Sequence, residues 1–237
     1  MVESQEYNAV MVLESVLEDD LQPRGGRTYE MITATYNRVL AAAVLVLLSP
    51  LWLAIALAIR LTSAGPALFR APVVGRNGRV FQYYKFRTMY VDRDNGGHIR
   101  WIEEFVRNDR PYSRDARGRP VYKYNDGAAV TAIGGWLRRF SLDEVPQMLN
   151  VLRGDMNIVG PRPPVLYEYD LYGPDERKRL AVKPGITGLY QARRRGRASF
   201  SEMLQLDLEY ISRRSLWLDI QIILKTPWVM LTGQEVV

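Results

Sequence analysis

The chain has 237 residues, a formal net charge of +6 at pH 7 and no cysteine. This length fits one sizeable domain, and the positive charge favours anionic partners such as phosphorylated substrates or lipid surfaces. The lack of cysteine excludes disulfide bonds and thiolate metal sites. The sequence contains no nucleic-acid-binding motif, so we expect no nucleic acid partner.

Residues 1–28 are predicted to form a polar N-terminal extension. The stretch is acidic at first and carries Pro23 and Gly25-Gly26 near its end. It lacks the basic start and early apolar core of a signal peptide. A poorly ordered extension is the expectation for this segment.

Residues 39–59 form a run without a charged side chain, bracketed by Arg38 and Arg60. At about 1.5 Å per residue, a helix of this length could cross a membrane. Pro50, at the centre, removes a backbone donor and bends the helix, and Ser49 can satisfy the freed carbonyl. The flanking arginines give no positive-inside bias. We therefore predict a bent helix that returns to the same face, with a kinked spanning helix as the alternative.

Residues 67–70 and 80–86 are short apolar and aromatic runs on either side of Asn77-Gly78. An Asn-Gly pair between such runs predicts a β-hairpin. The end of its second strand presents Lys85 and Arg87, which suit diphosphate binding, although exposed charges are common on hairpins. Apolar spacing over residues 99–106 then predicts an amphipathic helix, on which His98, the only histidine, is expected to be solvated.

Residues 141–154 are predicted to form a helix. Ser141 and Glu144 have the spacing of a capping box, and Gly154 ends the segment. The apolar residues recur at helical spacing, which predicts one buried face: Val145, Met148, Leu149 and Leu152.

Asp143 and Glu144 are adjacent carboxylates in the first turn of this helix. Acidic residues there complement the helix dipole and need no chemistry. Several anion-binding side chains surround them in the sequence, however, and favour a phosphate centre with a divalent metal: Arg138, Arg139, Arg153 and Arg162.

The C-terminal third is predicted to contain a glycine-bearing turn and two helices. Residues 183–188 form the turn, whose glycines can bring backbone amides close to a ligand. Residues 204–211 and 216–231 are helical by spacing. The second helix carries Trp217, Trp228 and Lys225, a composition that suits a membrane interface, while a buried core helix is an equal alternative.

Three sequence blocks resemble those of one family. Residues 85–89 (KFRTM), 137–164 (LRRFSLDEVPQMLNVLRGDMNIVGPRPP) and 183–188 (KPGITG) are similar, in this order along the chain, to blocks of the bacterial sugar transferases, the monotopic polyprenyl-phosphate phosphoglycosyl transferases. The match runs from about Arg38 to the C-terminus. It is poorest over residues 125–136, where the family commonly carries arginines and this chain has alanines and glycines.

The resemblance implies an α+β, mainly helical protein on the cytoplasmic face of the bacterial inner membrane. Residues 29–64 would form the re-entrant membrane hairpin, and residues 65–237 a small cytosolic catalytic domain with a β-hairpin and amphipathic interfacial helices. Its implied partners are a UDP-sugar, polyprenyl phosphate, membrane lipids and downstream glycosyltransferases. The sequence specifies neither the sugar nor the oligomeric state, which leaves a homodimer open.

The implied reaction transfers a sugar phosphate to polyprenyl phosphate and releases UMP, with Mg²⁺ as cofactor. We hypothesise that Asp143 is the nucleophile and a partial metal ligand, and that Glu144 is a base or a helix cap. A non-catalytic, membrane-tethered basic module that binds anionic lipid or a partner protein is the competing function. The predicted substrate-binding residues are Lys85, Arg87, Arg138, Pro161, Arg162 and Pro163. The predicted break in the membrane helix is at Ser49 and Pro50.

Overall fold

The computed structural model describes residues 23–91, 95–124, 127–194 and 196–232. The predicted N-terminal extension therefore lies almost entirely outside the described residues. Within them the fold is mainly helical, with three two-stranded sheets. The mainly helical α+β class is thus confirmed in its coarse form.

Two apolar helices, α1 (Gly26–Leu47) and α2 (Ser49–Thr62), open the described fold and meet at Leu48. Because Pro50 has no amide hydrogen, the carbonyl of Val46 loses its helical donor. The Ser49 hydroxyl donates to that carbonyl at 2.8 Å, as the sequence predicted. By length and composition, α1 is capable of crossing a membrane.

The predicted hairpin is present as β1 (Leu68–Val74) and β2 (Val80–Phe86), which pair antiparallel. The first strand is longer than the sequence indicated. Asn77 adopts a left-handed backbone (φ 56°) in the connecting turn. An asparagine tolerates this conformation better than most residues, which explains why Asn-Gly marks the turn.

The other elements complete a helical body around this hairpin. The helices are α3 (Gly96–Asn108), α4 (Ala132–Arg139), α5 (Met148–Arg153), α6 (Leu166–Tyr169), α7 (Pro174–Arg177), α8 (Leu189–Arg194), α9 (Phe200–Arg213) and α10 (Leu216–Thr232). Two short 3₁₀ helices (Leu142–Gln147 and Lys178–Ala181) precede α5 and follow α7. Short strands pair as β3 (Ser113–Arg114) with β4 (Pro120–Val121), antiparallel, and β5 (Asn157–Val159) with β6 (Gly185–Thr187), parallel.

Both apolar helices pack against the rest of the fold. Ala41 of α1 is fully buried in the main core with residues of α5, β5, α9 and α10. Ile55 and Ile59 of α2 pack with Phe86 and Leu137 in a separate cluster. The outer sides of these helices near Leu48 remain exposed.

The predicted capping box is wrong. Ser141 has a left-handed backbone (φ 54°) and its side chain does not cap the next turn, since a capping serine needs an extended backbone to face the first amides. The segment begins as a 3₁₀ helix and becomes α-helical at Met148. Gly154 ends it in a left-handed conformation (φ 81°), as expected.

Two further expectations need correction. The predicted turn at residues 183–188 contains strand β6, and a Cβ at Gly185 would lie 2.1 Å from the amide nitrogen of Gly160. The glycine therefore permits close packing of two backbone segments. His98 is not a solvated residue, because its ring is half-buried and lies 5.0 Å from that of Tyr124 and 5.4 Å from that of Trp101.

Candidate active site

The outer edge of strand β2 is covered by the segment 142–153. Asn150 accepts a hydrogen bond from the amide of Tyr84 (3.3 Å) and donates to the carbonyl of Gln82 (2.6 Å). Gln147 donates to the hydroxyl of Tyr83 (2.6 Å). Because an unpaired strand edge needs hydrogen-bond partners, these amide side chains fix the segment against the strand.

The predicted apolar face of this segment is only partly buried. Its most buried face instead carries Asp143, Gln147, Asn150 and Val151. The edge of β2 explains why the buried face differs from the predicted one. Its backbone groups need hydrogen-bond partners, which amide side chains supply and aliphatic side chains cannot. The same packing carries the carboxylates to the end of β2.

Lys85 lies between the two adjacent carboxylates. Its Nζ is 3.5 Å from Oδ2 of Asp143 and 3.3 Å from Oε1 of Glu144. The Asp143 side chain is 8% exposed, whereas that of Glu144 is 36% exposed. The Asp143 carboxylate is therefore enclosed and the Glu144 carboxylate is partly exposed, although a single ammonium contacts both.

The charges of this cluster stabilise one another. Burial lowers the pKa of Lys85, but Tyr83, Glu144 and Asp143 outweigh it and raise that pKa overall. Burial raises the pKa of Glu144, but Lys85 and then Arg162 lower it below its ordinary value. Burial is also the main reason that the pKa of Tyr83 rises to about 12. At neutral pH Lys85 and Glu144 are therefore charged and Tyr83 is protonated.

The segment 161–164, which we call the Pro-Arg-Pro arm, is fixed through its main chain. The carbonyls of Pro161 and Pro164 accept from the amides of Gly185 and Val74, each at 2.9 Å. The carbonyl of Arg162 accepts from Nη2 of Arg179 at 3.2 Å. The Arg162 side chain itself is exposed, and its positive charge helps to lower the pKa of Glu144.

Arg179 is a functional candidate that the sequence analysis missed. Its side chain is 1% exposed and forms an ion pair with the buried Asp207. It also donates to the hydroxyl of Tyr172 at 2.6 Å. The only signal in the sequence was Asp207 itself, a carboxylate at helical spacing from the apolar residues Leu204 and Ile211 of α9.

The other predicted phosphate-binding residues lie in different surroundings. Arg87 is buried, and its Nη2 donates to the carbonyl and the hydroxyl of Ser63, both at 2.8 Å. It ties the end of α2 to the hairpin, and the structure shows no contact between it and the carboxylates. The Nη1 of Arg138 is buried without a hydrogen-bond partner in the described part of the chain. Arg138 is therefore able to accept an anion.

The carboxylate pair could provide part of the ligand set of Mg²⁺. Among residues 23–91, 95–124, 127–194 and 196–232, no group of three or more histidine, cysteine or acidic side chains could hold a metal ion. Mg²⁺ is commonly bound by one or two carboxylates together with substrate phosphates. Asp143 and Glu144 provide that smaller set, to be completed by a diphosphate.

Comparison with known proteins identifies the family. The model of the family described as "Bacterial sugar transferase" matches residues 28–233. The chain belongs to the bacterial sugar transferase family.

Three curated relatives illustrate how similar the chain is to other proteins and how much of each it covers. The chain is 43% identical to galactosyl transferase CpsE of Streptococcus agalactiae over 71% of its own length and 35% of that protein. It is 40% identical to a UDP-glucose:undecaprenyl-phosphate glucose-1-phosphate transferase of Caulobacter vibrioides, covering 82% and 68% of the two chains. It is 35% identical to the exopolysaccharide production protein ExoY of Rhizobium meliloti, covering 87% and 86%. Several curated relatives are longer, and the chain spans only 35% to 43% of them.

Proposed function

We propose that this protein transfers a sugar phosphate from a UDP-sugar to polyprenyl phosphate, giving polyprenyl diphosphate sugar and UMP. This would be the first membrane step in the synthesis of a bacterial polysaccharide or related glycoconjugate. Family membership and the names of the Caulobacter and Rhizobium relatives support the reaction class. The observation that carries the proposal is the shared contact of Lys85 with buried Asp143 and partly exposed Glu144.

In the first half-reaction, a carboxylate oxygen of Asp143 attacks the β-phosphorus of the UDP-sugar. A new bond forms between that oxygen and phosphorus, and the bond from the β-phosphorus to the bridging oxygen breaks as UMP leaves. The protein then carries an aspartyl phosphosugar. Lys85 reduces the repulsion between the carboxylate and the diphosphate, and Arg138 and Arg162 are the proposed further partners of the phosphates.

Asp143 and Glu144 are the residues that would hold Mg²⁺, together with the donor diphosphate. When bound, the ion supplies Lewis-acid stabilisation of the phosphate charge. The protein contributes the ligand oxygens and fixes them on a 3₁₀ turn packed against β2. Because Lys85 already contacts both carboxylates, we expect its ammonium to move toward the phosphates when the metal binds.

In the second half-reaction, polyprenyl phosphate attacks the phosphorus of the aspartyl phosphosugar. The bond from phosphorus to the Asp143 oxygen breaks, which restores the free carboxylate. Glu144, which lies beside the nucleophile and is partly exposed, accepts the proton of the attacking phosphate. The two neighbouring carboxylates thus serve the two halves of the reaction.

We propose that α1 and α2 form a re-entrant hairpin in the membrane. Ala41 and Ile55, on either side of the break, are buried against the same folded body. Each is about seven residues from Leu48, or ~10 Å along a helix, whereas the hydrocarbon layer is about 30 Å thick. The exposed apolar surface is therefore concentrated within one leaflet's depth of the break. Val46, Leu47 and Leu53 in this region are more than 70% exposed.

Helix α10 is proposed to lie in the membrane interface. Ile222 and Val229 on one side are buried. The opposite side exposes large apolar residues at helical spacing, namely Trp217, Ile220, Leu224 and Trp228. Tryptophan is typical of interfacial positions. We propose that the catalytic domain lies on the membrane surface, on the cytoplasmic face where nucleotide sugars are available.

The reaction is tested by incubating the purified chain with a UDP-sugar, Mg²⁺ and polyprenyl phosphate. We expect UMP and a lipid-linked sugar diphosphate, and no product when the metal is chelated. The competing hypothesis of a non-catalytic basic membrane module predicts lipid binding without UMP release. Testing UDP-glucose and UDP-galactose in parallel would also identify the sugar.

The membrane arrangement is tested with single cysteines at Thr35 and Thr62, which are exposed. The natural chain has no cysteine, so no background labelling is expected. Both sites should be protected from an impermeant thiol reagent in intact cells and labelled after lysis. A cysteine at Leu47, near the proposed tip, should react poorly in both cases. Labelling of only one end in intact cells would indicate a spanning helix.

A further inference from the structure

A pocket lined by several charged residues lies at the opposite end of the β-hairpin from the carboxylates. Its volume is about 230 Å³, and its lining includes Arg76, Arg79, Gly154, Asp155 and Lys183. Arg79 precedes strand β2, whose far end carries Lys85. At about 3.3 Å per residue these positions are ~20 Å apart, so the pocket is separate from the proposed reaction centre.

Cations from three parts of the chain converge on this pocket. A Cβ at Gly154 would lie 2.9 Å from Nη2 of Arg38 and 3.6 Å from Nζ of Lys183. The two side chains, from α1 and from the residue before Pro184, therefore face the same small space. Gly154 keeps this space open, and its left-handed backbone (φ 81°) disfavours any larger residue.

The pocket contains more positive than negative charge. Oε2 of Glu30 is 3.1 Å from Nη1 of Arg76, and its Oε1 is 3.2 Å from Nη2 of Arg214. The negative charge of Glu30 is therefore divided between two arginines and offsets that of Arg76 only in part. Asp155 is the acidic residue in the lining. Burial first, and then repulsion from Arg38 and Arg76, lowers the pKa of Lys183 despite Glu30 and Asp155. Such repulsion would be relieved by a bound anion.

We propose that this pocket is a binding site for a phosphate group, distinct from the phosphates of the transfer reaction. Arginine and lysine side chains together suit a phosphate, through forked and point-charge contacts respectively. Arg38 directly precedes the uncharged run 39–59, so on the membrane arrangement proposed above the pocket opens at headgroup level. The headgroup of an anionic phospholipid would supply the phosphate there, and inorganic phosphate offers the same chemistry.

The test uses the full chain in a neutral detergent at constant ionic strength. Dihexanoyl phosphatidylglycerol and inorganic phosphate are titrated separately, and binding is followed by calorimetry and by the shift in Tm. We expect saturable binding of the lipid. Arg79→Glu and Lys183→Gln should each weaken it by roughly tenfold, the effect of losing one charge-assisted contact. Equal affinity for inorganic phosphate would identify the free ion as the natural ligand.

Arg107→Glu is the matched control, because Arg107 is an exposed arginine on α3. It should bind the probe as the natural chain does. Arg79 is also exposed, so its substitution leaves the core intact even if Lys183→Gln lowers the Tm. The proposal is overturned if neither probe binds saturably, if Arg79→Glu binds normally, or if Arg107→Glu weakens binding equally through diffuse surface charge.

Discussion

Asp143→Asn is expected to abolish the covalent sugar phosphate adduct and to lower turnover by at least about 10⁴-fold, as loss of a nucleophile does in other enzymes. The amide has nearly the same shape as the carboxylate but cannot attack phosphorus. Its oxygen can still accept from Lys85, whose ammonium also keeps its contact with Glu144 at 3.3 Å. The fold should therefore persist, with a Tm close to that of the natural chain.

The measurement uses a UDP-sugar labelled in its β-phosphate and withholds polyprenyl phosphate. The natural chain should retain label and release a matching amount of UMP, and its steady-state kinetics should be ping-pong. Asp175→Asn is the matched control, since Asp175 is an exposed carboxylate paired with Lys178. Labelled protein from Asp143→Asn would show that another residue is the nucleophile, and UMP release that strictly requires the lipid would indicate direct transfer in a ternary complex.

Glu144→Gln separates the two carboxylates in the same experiment. If Glu144 acts as the base of the second half-reaction, this variant should form the adduct but discharge it slowly when polyprenyl phosphate is added. The structure removes one competing explanation, because Ser141 does not form the capping box that would have made Glu144 a structural residue. A normal rate of discharge would leave Glu144 with an electrostatic role toward Lys85.

The sequence predicted those parts of the site that depend on local chemistry. Asn77-Gly78 predicted the hairpin because its turn needs a left-handed backbone, and the hairpin places Lys85 at the end of β2. Ser49 and Pro50 predicted the helix break and the hydrogen bond that compensates for it. In both cases the local structure follows from the backbone preferences of one or two residues, so no distant partner is needed to predict it.

The sequence did not reveal contacts that depend on a distant partner. Periodicity favoured an aliphatic buried face after Asp143, but the open edge of β2 made Gln147 and Asn150 the buried residues. The parallel pairing of β5 with β6 joins segments far apart in the chain, so residues 183–188 resembled an isolated turn. Arg87 was grouped with Lys85 because the two are nearly adjacent, yet its guanidinium binds Ser63.

The buried ion pair of Arg179 and Asp207 is expected to control the binding of the nucleotide sugar through the Pro-Arg-Pro arm. Arg179 donates to the carbonyl of Arg162, and the arm's prolines limit the remaining freedom of its backbone. Removing Arg179 alone would leave Asp207 buried and unpaired, at a cost of about 3–5 kcal/mol. The informative variant is therefore Arg179→Met combined with Asp207→Val, which replaces both charges with apolar side chains that stay close to the original volumes.

This double variant should fold with a Tm near that of the natural chain, because apolar replacement of a buried pair is often neutral or stabilising. It should raise the KM for the UDP-sugar by roughly tenfold, the value of one charge-assisted contact, and leave the KM for polyprenyl phosphate nearly unchanged. Arg162→Ala should have the same selective effect. If Arg179 acts only by positioning Arg162, the effects will not add when all three substitutions are combined. An unchanged KM in the folded double variant would mean that Gly185, Val74 and the three prolines of the arm hold Arg162 without Arg179.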